Sequence, residues 1–99
     1  MSEFFVRLNA PRPSFTQDMN DAERQLMQQH AVYWRAWMAS GNVLVFGLVA
    51  DPKGAFGTGI VRFDSAEEAR RFADNDPTIV ANAGFSVDVF PMPFGAVQP

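Results

Sequence analysis

Apolar residues crowd four short stretches of the chain and recur at helical spacing in two longer ones. The short stretches are rich in Phe, Val and Ile, which favour strands. In the longer stretches apolar residues return every three or four positions, as is typical of a helix with one buried face. In chain order, strands are predicted at 3–9, 42–50, 58–63 and 85–92, and helices at 20–40 and 64–75. The predicted order of elements is therefore βαββαβ.

Capping and turn residues support these boundaries. Asn20 precedes Glu23 by three positions, which is the spacing of a capping box, although Asn replaces the usual Ser or Thr. Gly41 stands where a helix commonly stops. The segment 10–19 contains two prolines and predicts an irregular loop, because proline lacks a backbone donor and restricts the residue before it. The Pro and Gly residues of the segment 51–57 predict a connecting turn there.

This order predicts an α+β, ferredoxin-like fold, in which a four-stranded antiparallel sheet carries two helices on one face. Apolar side chains nevertheless lie on both faces of the predicted strands. Strict alternation puts Phe4 and Phe5 on opposite faces, and it puts Val43 and Val45 together on one face with Phe46 on the other. Because two helices cover only one face of such a sheet, an apolar face is expected to stay open.

An open apolar face is a liability unless a partner covers it. The simplest partner is a second copy of the chain, related by a twofold axis. We therefore predict a homodimer formed through the open sheet face. The alternative is a monomer whose tail, residues 92–99, folds across that face.

Composition and charge narrow the range of functions. The 99 residues suit a single domain, 1–99, with 92–99 as a C-terminal extension. The chain has no cysteine, which excludes a disulfide framework, a thiolate zinc site and a cysteine nucleophile, and which fits the cytoplasm as its expected location.

Neither a membrane nor a nucleic acid is an expected partner. The longest apolar run covers 43–50, well short of the ~20 residues that span a bilayer, and the first residues do not resemble a signal peptide. Eight basic residues stand against eleven acidic ones, for a net charge of −3. This balance offers no electrostatic attraction to a phosphate backbone.

His30, the only histidine, lies at the middle of the apolar stripe of the first long helix. At about 100° per residue, Leu26, Trp34 and Trp37 fall within roughly 60° of it. We therefore expect His30 to face the sheet rather than the solvent. One interpretation is a core histidine with a satisfied hydrogen bond. The other is an acid/base centre, in which a carboxylate partner fixes the tautomer and raises the proton affinity of the ring.

Asp76 is the candidate partner, because it lies just past the second helix and both helices pack side by side on one face of this topology. The end of the second helix can therefore approach the middle of the first. The alternative is that Asp76-Pro77 merely ends a helix and starts a turn. Asp51-Pro52 is the same dipeptide in a setting that looks purely structural.

Three stretches carry a resemblance to a known family: "RPSFTQDMNDAERQLMQQHAVYW", "GNVLVFGLVADPKGAFGTGIVRFDSAEEARRFADNDP" and "GFSVDVFPM". Together they cover nearly the whole chain, which resembles the YciI-like (YCII-related) proteins of the dimeric α+β barrel superfamily. The resemblance implies a sheet-to-sheet dimer and an active site built on His30 and Asp76. The superfamily includes small lyases and isomerases that act on oxidised aromatic breakdown products. Members often have Gly-Pro after the second strand, where this chain has Gly47-Leu48. This difference leaves the shape of the adjacent turn open.

Two functions remain open at this stage. The first is a cofactor-free lyase or isomerase acting on a small organic molecule, in which His30 moves the proton and Asp76 orients and charge-stabilises it. The second is a non-catalytic small-molecule-binding or accessory module, in which the pair is structural. The candidate substrate-binding residues are Trp34, Phe46 and Phe56 as pocket walls and Arg7 as the partner of a substrate carboxylate. For Arg7 an ordinary surface or interface ion pair is the alternative.

Other chemistries fit less well. RRM domains share the βαββαβ order, but the base-stacking positions of the third strand would fall on Thr58 and Ile60, which are not aromatic. One histidine without cysteine does not suit a zinc site, so no metal is expected. "GAFGTG" matches neither a P-loop nor a dinucleotide fingerprint, and the aromatic residues predicted around His30 argue against a haem. We therefore expect no cofactor.

Overall fold

The computed structural model describes all residues, Met1–Pro99, and contains four strands and four helices. The elements are β1 (Ser2–Asn9), α1 (Phe15–Asp18), α2 (Asp21–Ala39), β2 (Val43–Val49), β3 (Phe56–Phe63), α3 (Ala66–Asp74), α4 (Pro77–Val80) and β4 (Ser86–Pro91). No helix combines the length and the apolar character that crossing a membrane requires.

The strands form one antiparallel sheet in the order β2-β3-β1-β4. The inward side chains of β1, which are Phe4, Val6 and Leu8, are buried with those of β3 and with Trp34 and Phe72 from the two long helices. Aromatic rings therefore make up much of the layer between helices and sheet. The α+β, ferredoxin-like architecture predicted from the sequence is confirmed.

Two predicted loops contain short helices. Within 10–19, one turn of helix, α1, forms after Pro13, and buried Phe15 anchors it to the core. After α3, Asp76 caps α4 and Pro77 occupies its first turn, where the missing N–H of proline costs nothing. Helix propensity alone does not predict a helix in either segment, because proline ends one helix but also suits the start of another.

Two further sequence predictions about the strands are wrong. β3 begins at Phe56 rather than at residue 58, because Phe56 pairs with Val49 across the sheet. An irregularity in the β2 ladder between Val43 and Val45 turns these two side chains to opposite faces. Val43 is buried under the helices, whereas Val45 is exposed on the open face. Strict alternation cannot anticipate such a bulge.

The open face of the sheet carries exposed apolar side chains in the single chain. Phe5 stacks on Phe90 with ring centroids 6.0 Å apart, and Val45 and Phe90 each expose half or more of their surface. Residues 91–99 are themselves exposed throughout and Phe94 projects fully into solvent, while Gly95 lies against the side chain of Glu3 at one end of this face.

A charged clamp holds α1 against the start of α2. The Arg12 guanidinium donates to both carboxylate oxygens of Glu23 at 2.8 Å and to Asp18 Oδ1 at 2.7 Å. Glu23 also completes the capping box that the sequence predicted: its backbone N–H donates to the Asn20 side chain, and its carboxylate accepts from the Asn20 backbone. The hydrogen bond from Arg12, aided by that from Asn20, outweighs desolvation and lowers the pKa of Glu23 to about 2.

Replacing Glu23 with Gln is expected to flatten the acid side of the pH–stability profile. The pKa of Glu23 in the folded protein lies below its usual value, 4.5. Its ionisation therefore stabilises the fold fully above pH 4.5, and this contribution is lost as the pH falls towards 2. Thermal unfolding should show a difference in Tm between the native chain and the variant that is largest near neutral pH and shrinks in acid. Glu67→Gln, at an exposed position of α3, is the control, and a pH-independent difference would contradict the assignment.

Candidate functional site

His30 and Asp76 are in direct hydrogen-bond contact. Nδ1 of His30, in the middle of α2, lies 2.6 Å from Oδ2 of Asp76. Asp76 occupies the N-cap of α4, so its backbone is placed by the end of α3 and by Pro77. The packing of α4 against α2 thus brings together two residues that are 46 positions apart.

Asp76 accepts four hydrogen bonds although only 2 % of its surface is exposed. Oδ2 accepts from His30 and, at 2.7 Å, from Nε1 of Trp34. Oδ1 accepts from the backbone N–H and the hydroxyl of Thr78 at 2.9 and 2.8 Å. Burial by itself would raise the pKa of the Asp76 carboxyl, but the bonds from His30, Thr78 and Trp34 outweigh it and hold the pKa below its usual value. Asp76 is therefore a carboxylate at neutral pH.

The ionised carboxylate decides the tautomer of His30. A carboxylate only accepts hydrogen bonds, so Nδ1 of His30 must carry the proton that joins the pair. In the neutral ring, Nε2 then has a free lone pair. Nε2 has no hydrogen-bond partner, yet no buried side-chain nitrogen or oxygen is left unpaired, and 12 % of the side chain is exposed. Nε2 therefore lies where solvent or a ligand can reach it, as a general base requires.

Trp34 is fixed by the helix on one side and by the sheet on the other. It follows His30 by four residues, so both side chains leave the same face of α2, and their ring centroids lie 5.7 Å apart. On the sheet side the Trp34 ring lies directly over Gly59. A Cβ atom at Gly59 would stand 2.2 Å from the Trp34 ring, which is impossible without movement. The absence of a side chain at Gly59 thus allows Trp34 to reach Asp76.

The predicted substrate-binding residues separate into two groups. Trp34 is 3 % exposed and contacts Phe46, with ring centroids 5.6 Å apart, so these two form packed surroundings of the pair rather than an open pocket wall. Arg7 and Phe56 lie apart from the pair. By strand alternation Arg7 belongs to the open sheet face, where its guanidinium stacks 3.8 Å from the Phe56 ring centroid, and Phe56 also lines an apolar cavity. The substrate-binding role of all four stays a prediction.

Thr78 and Gly59 belong to this site and were not anticipated from the sequence. Thr78 is completely buried and saturates Oδ1 of Asp76. The letters "DPT" carry a usable signal, since an N-cap acid is expected to accept a backbone hydrogen bond two residues on. Asp51 shows the contrast: in its Asp-Pro dipeptide the carboxylate accepts only from the backbone N–H of Lys53.

The larger cavities of the protein are lined by other residues than His30, Trp34 and Asp76. Met27, one turn before His30 on α2, does line an apolar cavity of about 260 Å³. Nowhere in the chain do three or more His, Asp or Glu side chains gather so that they could hold a metal ion.

Comparison with known proteins finds a similar solved structure and a matching family model. The 5-chloro-2-hydroxyhydroquinone dehydrochlorinase of Burkholderia phenoliruptrix AC1100, solved in complex with 2,5-dihydroxybenzoquinone, is similar in structure, with a TM-score of 0.57 over 86 % of this chain and 90 % of that chain. At 20 % sequence identity this similarity shows a shared fold. No curated protein matches the sequence. The model of the YCII-related domain matches residues 3–93, and the chain therefore belongs to the YCII-related domain family.

Proposed function

We propose that the protein is an acid/base enzyme, a lyase or isomerase, that acts on a small organic molecule without a cofactor. Nε2 of His30 removes a proton from a carbon of the substrate, and Asp76 orients the ring and stabilises the imidazolium that forms. The observation that carries this proposal is the 2.6 Å contact between Nδ1 and the buried Asp76 carboxylate, which leaves the opposite nitrogen unpaired.

The proton transfers open to His30 suit an elimination or an isomerisation. His30 takes the proton from carbon, and the electron pair left behind either expels a leaving group or moves to an adjacent carbonyl oxygen. The protonated Nε2 then returns the proton to solvent, to the leaving group or to another carbon. The dehydrochlorinase that shares this fold has an activity of the first kind by name, and 5-chloro-2-hydroxyhydroquinone is thus the first compound to test.

Replacing His30 with Asn is expected to lower turnover by about 10²–10⁴-fold, the usual contribution of a positioned general base. The assay follows loss of substrate, and exchange of carbon-bound hydrogen for deuterium in D2O, by proton NMR over a panel of small quinones and ketones. Gln29→Asn, at the exposed neighbouring position of α2, is the matched control. Turnover that survives His30→Asn in the folded protein would rule out the proposed role.

A binding module without catalysis is the second candidate. It is favoured by the four hydrogen bonds at Asp76: two come from α2 and two from Thr78 within α4, so they tie the two helices together as a purely structural pair would. In a thermal-shift screen, compounds that raise Tm but are never converted would support this second function over the first.

We also infer that two copies associate through the open sheet face, because its exposed apolar side chains need cover. Val45→Glu and Phe90→Glu, both on this face, are expected to convert a dimer into a monomer in analytical ultracentrifugation. Val32→Glu alters an equally exposed valine on α2 and should leave the dimer intact. A native chain that sediments as a monomer would contradict the inference.

A further inference from the structure

An apolar cavity of about 260 Å³ lies between one end of the sheet and the helices α1 and α2. Phe15, Met27, Leu48 and Phe85 contribute to its wall, and no ionisable side chain lines it. The rings of Phe15 and Phe85 meet edge to face at 5.2 Å and give one side of the wall a defined shape. For comparison, a dry apolar cavity of roughly 150 Å³ is enough to admit benzene.

The sheet register puts this cavity next to His30. Trp34 packs over Gly59, and Gly59 pairs with Phe46. Two residues further along the same ladder, about 7 Å away, the pair of Leu48 and Gly57 lines the cavity.

From Trp34, α2 leads towards the cavity in the same direction and over a similar distance. Four residues back from Trp34, about 6 Å along α2, is His30, and the next turn presents Met27 to the cavity. His30 is therefore level with the inner end of the cavity.

A second, more open cavity of about 470 Å³ adjoins the first. It lies between α1 and the turn joining β2 and β3, and it shares Thr16, Leu48 and Ala55 with the apolar cavity. Gly54 of this turn approaches Pro13 so closely that a Cβ atom at Gly54 would stand 3.1 Å from Cα of Pro13. The route inward thus passes between two segments that touch at one glycine.

We propose that this apolar cavity is the substrate-binding site of the protein, that ligands enter it between α1 and the β2–β3 turn, and that it selects uncharged, compact molecules. The physical reason for the selection is desolvation: none of the side chains that line the cavity is charged, and an unpaired buried charge is strongly unfavourable. Arg7, the residue expected to hold a substrate carboxylate, lies on the other face of the sheet. The claim that a bound ligand is converted rests on the proposed function, whereas the claim that ligands bind in this cavity does not.

The test uses cyclohexyl methyl ketone and cyclohexanecarboxylate, which have the same shape and differ in a methyl group against a charged oxygen. Binding is followed through the methyl NMR signals of the methionines, because Met19 and Met27 line the cavity whereas Met1 and Met92 lie elsewhere. The ketone should shift the Met19 and Met27 signals saturably and bind at least about tenfold more tightly than the carboxylate, a difference of about 1.4 kcal/mol or more. Equal binding of both, or no shift at Met19 and Met27, would overturn the proposal.

Filling the cavity gives an independent check of the site. Ala10→Leu and Ala55→Leu add bulk to its wall and should each weaken ketone binding about tenfold or more. The two substitutions lie on different elements, so one remains informative if the other fails to fold. Ala39→Leu, at the exposed end of α2, makes the same change outside the cavity and should bind as the native chain does. Unchanged ketone binding in a folded filling variant would contradict the assignment.

His30→Asn separates this inference from the proposed function. The variant should still bind the ketone with the same methionine shifts, because the side chains that form the cavity wall are unchanged. If the ketone binds in the cavity but His30→Asn leaves turnover unchanged, the acid/base function fails and the binding site stands. If His30→Asn abolishes turnover but the methionine signals never respond to the ketone, the reverse conclusion holds.

Discussion

Replacing Asp76 with Asn is expected to lower the free energy of unfolding by about 3 kcal/mol and to reverse the tautomer of His30. An amide oxygen turned towards Thr78 keeps both hydrogen bonds there, but the amide NH₂ then faces Nε1–H of Trp34 and Nδ1 of His30. The Trp34 donor loses its acceptor in a buried position. The proton of His30 must then move from Nδ1 to Nε2, so that Nδ1 can accept a hydrogen bond from the amide. Nε2 no longer has a free lone pair, and the general base is lost.

The chain makes this prediction easy to measure, because His30 is the only histidine. The ring-nitrogen chemical shifts in ¹⁵N NMR distinguish a protonated from a bare nitrogen, and urea unfolding gives the change in stability. Asp74→Asn, at a half-exposed acid that pairs with Arg70, is the control and should change stability by no more than about 0.5 kcal/mol. An unchanged tautomer in Asp76→Asn would show that Asp76 does not set the protonation of His30.

Gly59→Ala is expected to cost about 3 kcal/mol, more than is usual for so small a change. The new methyl group would overlap the Trp34 ring, and that ring is held in a cluster of aromatic side chains with no space to retreat. Any shift that relieves the overlap moves Nε1 away from Asp76. The structural cost of the substitution and the weakening of the hydrogen bond to the carboxylate therefore have one cause.

The indole N–H signals report this directly, since the chain has only two tryptophans. The Trp34 signal should move towards the position of a weaker hydrogen bond, and the Trp37 signal should change less. Gly47→Ala is a matched control on the neighbouring strand, where nothing stands within 4 Å of the added atom. It should leave both stability and the Trp34 signal nearly unchanged. A Gly59→Ala protein as stable as the native one would contradict the tight packing of Trp34 on the sheet.

Local signals in the sequence were sufficient for much of the fold. The capping box at Asn20, the glycine after α2 and the β-branched strands each depend on residues close together in the chain. The order of elements follows from them, and so does the direction of His30, because helical periodicity is a local property. The family resemblance and the α+β, ferredoxin-like architecture are confirmed, whereas the catalytic role of His30 and Asp76 stays a prediction.

Contacts between distant segments decided the rest. The bulge that separates Val43 from Val45 depends on how β2 pairs with β3, and the start of β3 at Phe56 depends on its partner Val49. The short helix α1 depends on Phe15 reaching the core and on the clamp from Arg12. None of these is specified by the segment's own residues, since each depends on a partner outside that segment.

The sequence by itself determined that one imidazole faces inward from a long helix and that an acid stands at the start of the turn after α3. Only the tertiary structure decided that these groups touch, that Trp34 completes the set of donors to Asp76 through the space left by Gly59, and that Arg7 lies on the other face of the sheet. The physical reason is the distance along the chain over which each interaction acts. Helical periodicity and caps act over a few residues, whereas a buried carboxylate collects its donors from wherever packing brings them.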